Sequence, residues 1–80
     1  MRKPSVFVRD LSPGEGQVLK RKSRTAKHFA TRQRAQILLA SATGMAPADI
    51  ARALSTDESH VRKVIKAFNE EGFESLNPRS

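Results

Sequence analysis

The chain has 80 residues, 38% of them hydrophobic, no cysteine, and a formal net charge of +7 from 15 Lys+Arg against 8 Asp+Glu. That length supports one small domain, the missing cysteine excludes disulfides and thiolate metal sites, and the longest apolar run, Ile37-Leu38-Leu39-Ala40, is far short of the roughly 20 residues of a membrane-spanning helix. Such a balance points to a polyanionic partner, nucleic acid before an acidic membrane surface.

The charge is uneven. Up to Arg34 ten basic residues face only Asp10 and Glu15, an excess of eight; beyond it five bases face six acids. An asymmetry of this kind suits a basic flank that tracks phosphates. The basic start Met1-Arg2-Lys3 is followed by only Val6-Phe7-Val8 as an apolar core, less than the about 7–15 residues of a secretory signal, so a cytoplasmic protein is expected.

In chain order, Ser5 to Arg9 is β-prone but has no second strand to pair with, and reads as an extended arm over residues 1–11. Ser12-Pro13-Gly14-Glu15 is a helix start, with Ser as N-cap, Pro in the first turn and Glu completing a capping box. Leu11, Val18 and Leu19 give this helix one apolar stripe, while Gly14 and Gly16 weaken it by about 1 kcal/mol each. Lys20 to Lys27 reads as a basic connector. A second helix is expected from Ala26 or Phe29 to Ala42, apolar on most faces from Ala35 onward, with Gly44 in the position after its C-cap.

Pro47 opens a short helix whose Ile50, Ala51 and Leu54 share one face. Ser55-Thr56-Asp57 breaks it. A longer helix follows, with Val61, Val64, Ile65 and Phe68 at i, i+3, i+4 and i+7, and Gly72 ends it. Two short-linked helices of this kind describe a helix-turn-helix. Ala51 is small enough to lie beneath the crossing. The helix after Asp57 then turns Ser59, Arg62, Lys63 and Lys66 outward, toward a major groove whose width of about 12 Å admits one helix. Ser55 stands where glycine is usual, because the backbone there is left-handed. Domain bounds of 12–72 follow, with an exposed tail or linker start over 73–80.

The stretches Arg34-Ala35-Gln36-Ile37-Leu38-Leu39, Asp49-Ile50-Ala51-Arg52-Ala53-Leu54, Val61-Arg62-Lys63-Val64-Ile65 and above all Phe68-Asn69-Glu70-Glu71-Gly72 resemble the N-terminal domain of mariner-like bacterial insertion-sequence transposases. Val8-Arg9-Asp10-Leu11-Ser12-Pro13 is similar to the start of those proteins. The resemblance covers nearly the whole chain. It implies an all-α, homeodomain-like bundle of about four helices with an extended basic arm, binding the terminal inverted repeats of the mobile element. It also implies that Asn77-Pro78-Arg79 begins a linker toward a second DNA-binding unit and a catalytic domain. The family's catalytic carboxylates have no counterpart in this chain, which fits an excised domain, a truncated gene or a free-standing relative.

The expected partner is double-stranded DNA, bound by one copy or by a homodimer, in a nucleoid-associated protein. Ser59, Arg62, Lys63 and Lys66 are the candidates on the reading helix, with Arg62 or Lys63 suited to guanine. Glu58 either accepts from cytosine or pairs with Arg62 one turn on, the second being favoured. Arg32, Arg34, Lys22 and Arg24 are assigned to the DNA backbone, and Arg2, Lys3 and Arg9 to an arm of the homeodomain kind. Asp57 is read as a side-chain cap. His28 and His60 have no ligand partners at metal spacing. No catalytic residue, metal, cofactor or small-molecule ligand is expected. A free-standing transcriptional regulator is the alternative in the same physical class. A basic protein- or membrane-surface interaction domain is the alternative of another class, disfavoured because the apolar stripe of Val61 to Phe68 already has partners in Ile50, Leu54 and the Ile37 segment.

Overall fold

Ser12 starts the first helix as its spacing predicts. In the computed structural model, which describes residues 6–76, its hydroxyl accepts from the Glu15 N–H at 3.2 Å and the Glu15 carboxylate accepts from the Ser12 N–H at 3.0 Å. This reciprocal cap opens α1, Pro13–Thr25. The helix runs further than the sequence reading placed it. Lys20 to Arg24 are helical rather than a connector, because Lys and Arg are good helix formers and the capped start offsets the two glycines. Only Ala26 to His28 joins α1 to α2, Phe29–Ala42.

Helix α2 ends in a Schellman motif. Gly44 has φ 99°, its N–H donates to Ser41 O at 2.9 Å, and Met45 N–H donates to Ala40 O at 3.3 Å. Helix α3, Pro47–Ala53, ends the same way, with Ser55 in the glycine's place. Ser55 has φ 57°, and the Ser55 and Thr56 N–H groups donate to Arg52 O and Ala51 O at 3.4 and 2.9 Å. Helix α4, Glu58–Glu71, follows directly. Asp57 is its N-cap by backbone conformation only; its side chain makes no capping hydrogen bond, which corrects the expectation for it.

The core gathers one face from each helix. Leu19 comes from α1, Ala35, Ile37 and Leu38 from α2, Ile50 and Ala51 from α3, and Val61, Val64, Ile65 and Phe68 from α4. Ala51 is buried, as a small residue under the α3–α4 crossing must be. Helix α1 packs on α2 alone among the helices, while α2, α3 and α4 pack on one another. All the regular elements of the described residues are helical. No helix among them is long and apolar enough to cross a membrane.

Both ends of the described chain fold onto the bundle. The expected tail is a 3-10 helix over Gly72–Leu76, and Leu76 is fully buried. Phe73 and Leu76 are three residues apart, so a three-residue turn brings both to one side. Phe73 meets the Phe68 ring edge-on at 5.5 Å. At the other end Val6, Val8 and Leu11 pack against the core, so residues 6–11 are docked rather than a free arm. Arg2, Lys3 and the Asn77-Pro78-Arg79 linker lie outside the described residues.

Candidate nucleic-acid interface

The apolar stripe of α4 fixes what its other side presents. With Val61, Val64, Ile65 and Phe68 turned inward, the 100° step of a helix sends Ser59, Lys63 and Lys66 to the opposite side, and all three are exposed. Arg62 sits on the edge of this face and is half-buried. An open groove runs along it, lined by Val6, Glu58, Ser59, Arg62, Lys63 and Lys66. The structure thus brings together all four of the residues assigned to the reading helix.

Three cations against one carboxylate leave this groove positive. The carboxylate is committed, since Glu58 pairs with Arg62 one turn along α4. This is the i, i+4 pairing favoured from the sequence. The Arg62 Nε is buried and has no hydrogen-bond partner, so the guanidinium retains an unused donor.

On the other flank of α4 a second depression is lined by Arg34, His60, Lys63, Val64, Ala67, Glu71 and Ser75. Arg34 therefore joins Lys63 at the edge of the α4 face. Its Nη1 donates to Leu76 O at 3.4 Å, which holds the 3-10 helix beside it.

The other backbone candidates are placed differently. Arg32 donates from Nη1 to Ala26 O at 2.8 Å and to Lys27 O at 3.4 Å, and its guanidinium lies 5.8 Å from the Phe29 ring centre. It fastens the α1–α2 connector and lies outside both depressions of α4. Lys22 and Arg24 ride on α1, which makes no contact with α3 or α4. They are not brought to the α4 face.

Arg9, assigned to the arm, is exposed and is likewise engaged by groups of the chain itself. Its guanidinium makes two hydrogen bonds to the Glu15 carboxylate at 2.9 and 3.0 Å and lies 4.8 Å from the Phe68 ring centre. The Arg9 hydrogen bonds, with that from the Ser12 N–H, hold the Glu15 carboxyl at about 2, well below its ordinary 4.5.

Two residues at the site escaped the sequence reading. Asn69 grips the chain at Phe7 and Arg9, and Val6 forms a wall of the groove. Asn69 does lie seven positions after Arg62 on one flank of the helix, but nothing in its neighbours marks what it holds.

A family model described as a homeodomain-like domain matches residues 30–77. That span takes in α2 from its second residue, both helices of the helix-turn-helix and the 3-10 helix, and leaves out α1 and the docked N-terminal segment. No curated protein and no solved structure matches the chain significantly. Because the match covers more than half of the sequence and coincides with the three mutually packed helices, the chain belongs to the homeodomain-like helix-turn-helix family.

Proposed function

We propose that this domain binds double-stranded DNA in a sequence-dependent way, with α4 laid in the major groove. The observation that carries the reading is the α4 face, where Ser59, Arg62, Lys63 and Lys66 line one open positive groove on a homeodomain-like scaffold. Arg62 and Lys63 have the donors that guanine O6 and N7 accept. Lys66 and Arg34 are suited to phosphates at the edges. No catalytic step is assigned to these residues; the domain recognises and positions.

The finer reading is that it serves an insertion-sequence transposase by binding the terminal inverted repeats. The resemblance of its helix-turn-helix and of the Phe68-Asn69-Glu70-Glu71-Gly72 exit supports this. Gel-shift titration against the two ends of the element that encodes the chain tests it. Preferred binding to both inverted repeats supports the transposase role. Preference for a single promoter-proximal site instead moves the protein to a transcriptional regulator, and equal affinity for every duplex removes sequence recognition altogether.

A further inference from the structure

The segment before α1 runs beside α4 and is clamped from two sides. The Asn69 side chain spends both ends of its amide on it: Nδ2 donates to Phe7 O at 3.1 Å, and Oδ1 accepts from the Arg9 N–H at 2.8 Å. These two backbone groups, two residues apart, are thus held by one residue of α4. Between them the Val8 N–H points the other way and donates to the Ser41 hydroxyl of α2 at 2.8 Å. Val6 and Val8 both pack against the core, while Phe7 is exposed.

This docking sets Val6 at the groove of α4. Val6 is half-buried and, among the described residues, is the one apolar residue lining it, alongside Glu58, Ser59, Arg62, Lys63 and Lys66. In the major groove the apolar group offered by a base edge is the C5 methyl of thymine. A valine fixed before binding meets that methyl without a further ordering cost.

We infer that residues 6–9 form a second, non-helical part of the DNA-reading surface, in which Val6 contacts a thymine methyl and Asn69 is the positioning residue that holds it there. The inference rests on the DNA-binding reading above. Helix α4 supplies the charged recognition, and the docked segment supplies an apolar preference.

The test uses the 80-residue chain. Preferred duplexes are selected from a randomised pool, and each thymine of the preferred site is replaced in turn by deoxyuridine, which lacks only the methyl. For the unchanged chain, one replacement is expected to weaken binding about fourfold, the worth of one buried methyl group. Val6→Ala and Asn69→Ala are each expected to abolish that difference. Val6→Thr, which keeps one methyl, retains part of it. If no thymine responds, or if Val6→Ala responds as strongly as the unchanged chain, the inference is overturned while DNA binding stands. If Val6→Ala loses the difference and Asn69→Ala keeps it, the role of Asn69 is overturned. If no duplex is preferred, sequence recognition fails and takes this inference with it.

Discussion

Glu58 and Arg62 form an ion pair across one turn of α4, at the edge of the face that the proposed function turns toward DNA. The pair restrains a long side chain whose Nε is already buried and unpartnered. On the proposed reading it also keeps a carboxylate beside the phosphates. Recognition by Arg62 therefore has to compete with Glu58 or to use the donors that Glu58 leaves free.

Neutralising Glu58 follows from this. Glu58→Gln removes one repulsive charge and releases Arg62. An exposed charge of this kind is worth a few tenths to 1 kcal/mol, so affinity for any duplex should rise about twofold to fivefold. The isolated domain should lose a similar few tenths of stability, since Glu58 also lies at the favourable end of the helix dipole. Arg62→Ala should instead flatten discrimination between duplexes by about 1–3 kcal/mol at one position. Fluorescence anisotropy on a preferred and an unrelated duplex reads both effects. A fall in affinity for Glu58→Gln would mean that Glu58 itself accepts from a base.

How much of this was legible follows the range of each interaction. The capping box of Ser12 and Glu15, the end of α2 at Gly44 and the core stripe of α4 depend on residues within a few positions, and spacing reveals them. The helical state of Lys20 to Arg24 was hidden because a run of like charges reads equally well as a solvated linker. Helix propensity and a capped start decided it. The docking of both ends was not legible for another reason. Arg9 to Glu15 is local, but Asn69 to Phe7 spans 62 positions and Thr31 to Leu76 spans 45. Each is one hydrogen bond to a backbone group, which any residue offers. The α4 candidates emerged together because one helix carries them all. Arg32, Lys22 and Arg24 were assigned on charge alone, and charge does not say where a side chain lies.

Salt should weaken binding steeply. About six phosphate contacts give a log–log slope near −5, and each lost contact reduces it by about 0.9. Lys66→Ala and Arg34→Ala should each flatten the slope by about that amount, alike on all duplexes. Arg32→Ala should leave the slope unchanged and lower thermal stability, because its guanidinium holds carbonyls of the α1–α2 connector. Equal slopes for all three variants would remove the division between contact and fastening residues.

Acid should release the N-terminal segment. The Glu15 carboxyl is held at about 2 in the folded chain against an ordinary 4.5. A carboxyl depressed in this way contributes stability that is fully present above its unfolded value and lost as the pH falls through the folded one. The loss should therefore appear between about pH 4.5 and pH 2. Glu15→Gln should be less stable than the unchanged chain at neutral pH, with the two converging toward pH 2. Thermal melts across that range give the comparison, and a constant gap would show that the carboxylate charge is not what Arg9 and the Ser12 N–H hold.

Ser55 carries a left-handed backbone at φ 57°, in the position that Gly44 occupies one helix earlier. A side chain there costs roughly 1 kcal/mol, partly offset because glycine is more flexible in the unfolded chain. Ser55→Gly should raise stability by about 0.5–1 kcal/mol. Ser55→Val should lower it by more, since a branched Cβ is worst suited to this region. Urea denaturation with an unchanged slope would assign the shift to the turn rather than to a change in compactness.

The 3-10 helix supplies the last test. Leu76 is fully buried, and its carbonyl accepts from the buried Thr31 hydroxyl at 3.0 Å and from Arg34 at 3.4 Å. Leu76→Ala removes a buried side chain at the edge of the bundle and should cost about 2–5 kcal/mol. Thr31→Val keeps the volume and removes one donor, and should cost about 1 kcal/mol, because Arg34 still serves the same carbonyl. The contrast also bears on function. Arg34 reaches the edge of the α4 face from the side that Leu76 anchors, so Leu76→Ala should weaken DNA binding even under conditions where the variant is fully folded. Anisotropy measured well below its unfolding transition checks this, and undiminished affinity there would confine Leu76 to stability alone.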